Sequence, residues 1–136
     1  MGTGTTLHQQ RSLERWIPQV SKKGAGAPAP WAFRYWSCRN PTAVRVEVAG
    51  KVIAYTGDTE WTDDVAKVAR GADLLIAESY FYKKPVRWHL NYPEIAAHRD
   101  GFGARRLILT HMSREMLAHV SEVPEECAYD GLLVTV

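Results

Sequence analysis

A chain of 136 residues, 46% hydrophobic and 24% charged, has material for one domain with a single core and too few charges for wholesale disorder. Its net charge of +2 is too small to imply nucleic-acid or membrane binding through bulk electrostatics. There is no apolar run of about 18 residues to cross a bilayer, no apolar signal core in the polar start Met1-Gly2-Thr3-Gly4-Thr5-Thr6, and no CxxC pair, since Cys38 and Cys127 stand far apart. The expected setting is cytoplasmic, with both thiols reduced.

Residues 1–40 are expected to form a poorly structured leader. A short helix around Leu13 to Val20 is interrupted by Pro18, and Gly24 to Pro30 alternates Gly, Ala and Pro as a linker does. Trp31, Phe33, Tyr35 and Trp36 then make an aromatic cluster without a clear partner. Residues 41–136 are patterned as a domain. Ala43 to Val48 alternates apolar and polar residues as a half-buried strand does, Ala49-Gly50 turns, and Lys51 to Thr56 returns as its hairpin partner. Thr62-Asp63-Asp64 caps a helix carrying Val65, Ala66, Val68 and Ala69, which ends at Gly71. Asp73 to Ala77 is an almost wholly apolar run suited to a strand covered on both faces. A helix opens at Pro93 and is ended by Gly101 and Gly103, and Arg105 to Thr110 is the next strand. A short helix from Ser113 to His119 and a closing strand over Gly131 to Val136 complete the reading. The fold class is therefore α/β, a β-hairpin followed by βαβαβ.

Crossover connections of this kind make the strands parallel, so their C-terminal ends share one edge of the sheet, where ligands of open α/β sheets bind. Those ends are followed by Gly57-Asp58-Thr59, by Glu78 and by His111. Two carboxylates and an imidazole, remote in sequence, are thus expected on one rim. Such groups bind zinc and transfer protons.

These segments also carry a family resemblance. Ile53 to Thr59 resembles the strand and Gly-Asp-Thr motif of metallo-β-lactamase-fold hydrolases, and Ala72 to Glu78 resembles the apolar strand ending in glutamate that follows it. His89-Leu90-Asn91 through Ala97 resembles the histidine-led helix entry of the ribonuclease Z and phosphodiesterase-like branches, and Leu107 to His111 resembles the terminal strand ending in Thr-His. The order and spacing agree from about Thr42 to the C-terminus. The resemblance implies the C-terminal half of an αββα fold and zinc-dependent hydrolysis of a phosphodiester or ester bond. It also implies that Asp58 bridges two zinc ions, that His111 ligates the second, and that His89 assists proton transfer near the scissile phosphate. Glu78 would orient a ligand or relay a proton; some relatives have a histidine before it, where this chain has Ala77. The nucleophile implied is a hydroxide whose pKa the metals lower.

One departure matters. The family's first half carries a His-x-His-x-Asp-His cluster and a further histidine, whereas the histidines here are His8, His89, His98, His111 and His119. A two-zinc site is therefore not completed by these residues alone, and a truncated, inactive isolated chain is expected. Half a sandwich would leave an apolar sheet face uncovered, so self-association or a partner chain is expected, beside a small-molecule or phosphodiester substrate. A non-catalytic binding or interaction module is the alternative. A haloacid-dehalogenase-like phosphatase built on Asp58, Asp63 and Asp64 lacks the upstream Asp-x-Asp that it needs.

Each residue also has a plainer reading. Asp58 reads as a helix cap, His111 as a buried structural histidine, His89 as a surface residue and Glu78 as an ion-pair partner. Lys83, Lys84 and Arg87 read as a solvated loop or an attractor of phosphate. Trp61 and Trp88 read as packing or as pocket walls.

Overall fold

The computed structural model describes residues 43–136; the leader, linker, helix and aromatic cluster expected within residues 1–40 lie outside them. Strands β1 (Val44–Val48) and β2 (Lys51–Tyr55) form the expected antiparallel hairpin, with Val48 opposite Lys51 and Val44 opposite Tyr55. Its two-residue turn puts Ala49 at φ 50° and Gly50 at φ 76°, the pair of left-handed residues that matches the strand twist. Helix α1 (Asp63–Ala69) leads to β3 (Leu74–Glu78), and α2 (Tyr92–Phe102) leads to β4 (Leu107–Thr110). Helix α3 (Arg114–Leu117), a 3-10 turn (Val120–Glu122) and the two-residue β5 (Glu126–Cys127) follow. The sheet order is β1-β2-β3-β4-β5, and every pairing after the hairpin is parallel. The α/β reading, hairpin then βαβαβ, is thus the observed architecture.

One sheet face and the helices make the core. Ala54, Leu75, Ala77 and Leu109 alternate onto that face and meet Val65, Val68, Ile95, Phe102 and Met116. Burial of one large apolar side chain contributes about 1.5–3 kcal/mol, so this layer outweighs the short ladders. The alanines on β2 and β3 leave room for the helices to approach. Arg45 of β1 reaches across the same face and donates to Val68 O (2.8 Å) and Arg70 O (2.9 Å), which satisfies carbonyls left open at the end of α1. On the opposite face, Val46, Ile53 and Ile76 remain half-buried.

Asp73 fixes the entry to β3. Its Oδ2 accepts the Val52 N–H at 2.9 Å, and its own N–H reaches Val52 O at 2.8 Å. The Val52 N–H holds the Asp73 carboxyl below its usual value, aided by Lys51 and Arg105 and opposed by burial. A carboxyl depressed by folding contributes stability that is present above the unfolded pKa and lost as pH falls through the lower folded value. Acid titration of stability should therefore show a loss below pH 3.8 in the wild type, and Asp73→Asn should flatten that limb. Parallel acid limbs in the two proteins would exclude this role.

Three expectations need correction. Gly101 lies inside α2, and Gly103 alone, at φ 61°, ends that helix. The helix also begins one residue before Pro93, because Asn91 caps it and the Asn91 N–H donates back to Glu94 Oε2 at 2.9 Å. The closing strand is not Gly131–Val136, which has no ladder partner among the described residues; Glu126–Cys127 takes the edge beside β4. Arg106 explains the choice, donating from Nε and Nη2 to the two Glu126 oxygens at 2.9 and 2.8 Å. The tail has a 3.4 Å bond from Arg106 to Thr135 O and a turn bond from the Leu132 N–H to Tyr129 O at 3.0 Å, neither of them part of a ladder.

Candidate metal centre at the sheet rim

The parallel strands deliver their ends to one place. β3 ends in Glu78, which is fully buried, an expensive position for a carboxylate unless it is well bonded. Two backbone donors hold Oε2: Thr59 N–H at 3.0 Å and Leu90 N–H at 3.2 Å. The Glu78 N–H is received by Thr56 Oγ1 at 3.0 Å, and that hydroxyl donates to Gly57 O. Gly57 at φ 65° lets the Gly-Asp-Thr turn fold around the carboxylate, leaving Asp58 at its exposed apex.

Oε1 of Glu78 faces two imidazoles. His89 Nδ1 is bonded to it directly, and His111 Nδ1 lies 2.8 Å away. His111 Nδ1 is also 3.0 Å from Asp58 Oδ1. A carboxylate oxygen accepts, so Nδ1 of each ring is the nitrogen that faces the carboxylates. His111 holds a left-handed backbone at φ 50° directly after β4. Such strain costs about 1–3 kcal/mol and persists where the surroundings enforce it, often at functional sites. Here Ser79 N–H to Thr110 O (2.9 Å) and Ser113 N–H to Tyr80 O (2.9 Å) pin both sides of the turn.

Asp58, Glu78 and His111 therefore share the rim as the strand order implies, and His89 joins them. Glu78, His89 and His111 offer ligand atoms within 4.8 Å of one another. Asp58 is not the cap of α1; that position belongs to Thr62. The donor set of imidazoles and carboxylates is chemically right for zinc. Bonds of about 2.0–2.2 Å in a tetrahedron separate donors by about 3.3 Å, so contacts of 2.8 and 3.0 Å need open by only tenths of an ångström.

Two site residues escaped the sequence reading. Tyr80 stacks on His89, centroids 4.3 Å apart, and presents an edge to His111 at 5.3 Å; its only signal is its place two residues after Glu78. Tyr55 ends β2 just before the Thr56-Gly57-Asp58 turn, and burial, then Asp58 and Glu78, push its phenol up. It thus stays protonated at neutral pH. The remaining aromatic candidates divide. Trp61 packs flat on His98 at 3.7 Å and against Phe102, whereas Trp88 is 66% exposed. His119 stacks on Tyr82 and bonds Glu122, away from the rim cluster.

Comparison with known proteins gives a consistent picture. A sequence profile described as the β-lactamase superfamily domain matches residues 11–112. Ribonuclease Z of Limosilactobacillus fermentum is 36% identical over 85 residues, covering 59% of this chain and 26% of that protein. Ribonuclease Z of Bacillus velezensis is 32% identical over 103 residues, covering 64% and 33%. The chain thus spans about a quarter to a third of these relatives. Among solved structures, the metallo-β-lactamase-fold protein YhfI of Bacillus subtilis superposes with TM-score 0.56 at 24% identity, over 74% of this chain and 46% of that one. The short form of human tRNase Z gives 0.52 at 24%, over 68% and 36%.

Proposed function

The chain belongs to the β-lactamase superfamily domain family, and from that premise we propose that it carries one half of a zinc-dependent hydrolytic site for phosphodiester or ester bonds. The observation that carries the reading is Glu78 Oε1 meeting His89 and His111, with Asp58 on the same imidazole. In it, Asp58 and His111 hold zinc, Glu78 orients both imidazoles, and His89 moves a proton at the scissile bond. An ion held there would acidify water and polarise the phosphoryl oxygen. Asp58 and Glu78 both face Nδ1 of His111, so that nitrogen is the one that would exchange its proton for a metal ion. Tyr80, stacked on the His89 ring, limits its rotation. The resemblance to ribonuclease Z proteins favours a phosphodiester over other ester classes.

Catalytic zinc generally takes three protein ligands and an open position. Two ions need more donors than this rim offers, and the 136 residues contain no His-x-His-x-Asp-His. Zinc binding without efficient turnover is therefore the expected behaviour of these residues alone, with a second copy or another chain covering the half-buried Val46, Ile53 and Ile76 face. A non-catalytic metal-binding module is the second reading, favoured by that same donor shortage. Hydrolysis of bis-p-nitrophenyl phosphate with zinc or manganese separates the two. Chelator-sensitive turnover that His89→Ala lowers by about 10²-fold or more would establish catalysis and overturn the expected inactivity. Bound zinc without turnover would leave the module.

A further inference from the structure

The loop between β3 and α2 displays an aromatic ring where packing does not need one. Trp88 is 66% exposed and has a left-handed backbone, φ 71°, a real cost for a bulky residue. The chain around it is clamped. The Trp88 N–H donates to Glu60 Oε1 at 2.8 Å, and Asn91 Nδ2 donates to His89 O at 3.0 Å and to Val86 O at 3.3 Å. Tyr80 N–H to Leu90 O (2.8 Å) and Tyr92 N–H to Phe81 O (2.9 Å) close the base of the loop. The indole is thus held outward on a fixed backbone, and the next residue, His89, bonds Glu78.

One cation lies against the ring, and two more stand on the same loop. The Arg87 guanidinium lies 5.3 Å from the Trp88 ring centre; Lys83 and Lys84 lie over Tyr82 and Phe81 at 5.6 and 5.9 Å. Among the described residues neither Lys84 nor Arg87 makes an ion pair with a carboxylate, whereas Lys83 helps to lower the Glu122 carboxyl. The nearby Glu60 is engaged by the Trp88 N–H. An exposed indole with an adjacent guanidinium, and ammonium groups on the same loop, is the chemistry that binds unpaired nucleotides, with bases stacking on the ring and phosphates meeting the cations.

We propose that Trp88, with Arg87, Lys83 and Lys84, forms a subsite for an unpaired nucleotide strand and feeds a phosphodiester to the adjoining rim. This rests on the hydrolase reading for its purpose, but its binding step needs no metal. A fixed indole binds a base without the entropy of ordering a loop.

The test is fluorescence anisotropy of the full chain with a labelled hexaadenylate ribonucleotide in chelator, where metal-site failure has no influence. Trp88→Ala should weaken binding at least about tenfold, and Trp88→Phe should retain most of it. Trp88→Gly removes the ring while relieving the left-handed backbone, so it keeps the test valid if the alanine variant folds poorly. Tyr129→Ala removes another exposed aromatic and should change nothing. Replacing Lys83, Lys84 and Arg87 together by alanine should reduce the slope of log affinity against log salt by about 2. No binding by the wild type, equal affinity after loss of the Trp88 ring, or equal affinity for an abasic hexamer would overturn the subsite. None of those results bears on zinc binding at Asp58 and His111.

Discussion

Replacing Glu78 by alanine is expected to lower the unfolding free energy by about 3–5 kcal/mol, a large fraction of the 5–15 kcal/mol typical of a domain. The carboxylate is fully buried, and the substitution strands the Thr59 and Leu90 N–H groups and removes the carboxylate from His89, while His111 keeps Asp58. Each buried donor left unpaired costs about 1–3 kcal/mol. Glu78→Gln should cost less, because the amide oxygen still accepts two of these bonds while its NH2 faces the remaining donors. Urea unfolding of the three proteins decides it. An alanine variant within about 1 kcal/mol of wild type would mean that Glu78 is not the hub that holds the rim together.

Much of this was legible along the chain, for local reasons. Alternation in Val44 to Val48 and a compact turn define the hairpin, and the apolar run ending at Glu78 announces a buried strand. Parallel order then follows from the intervening helices, and with it the meeting of Asp58, Glu78 and His111. What stayed hidden depends on partners distant in sequence. Nothing in Glu126-Cys127 signals a strand; it forms because Arg106 clamps Glu126 beside β4. Gly101 looks like a helix end but carries no left-handed backbone, whereas Gly103 does. His111 adopts a left-handed conformation with no glycine to advertise it, and that turn brings its ring onto Glu78 and Asp58. His89 reads as a surface residue until the Leu90 N–H and its own Nδ1 are seen on one carboxylate.

Metal content carries the other large effect. Two imidazoles and two carboxylates at 2.8–3.0 Å along the His111 contacts resemble a ligand set closed up by hydrogen bonds, and zinc would replace the protons they share. Loss of residues that merely orient ligands typically costs 10- to 100-fold in metal affinity, so loss of two direct ligands should exceed about 100-fold. Asp58→Ala/His111→Ala should therefore abolish retention, while Trp88→Ala should leave it intact. Both variants need only a folded chain, checked by circular dichroism, for the comparison to hold.

Equilibrium dialysis of the 136-residue chain against micromolar zinc, followed by metal analysis, addresses this directly. Near-stoichiometric zinc in the wild type and none in the Asp58→Ala/His111→Ala variant is the expected result. Negligible zinc in the wild type, or equal zinc in both proteins, would contradict a metal centre at the rim.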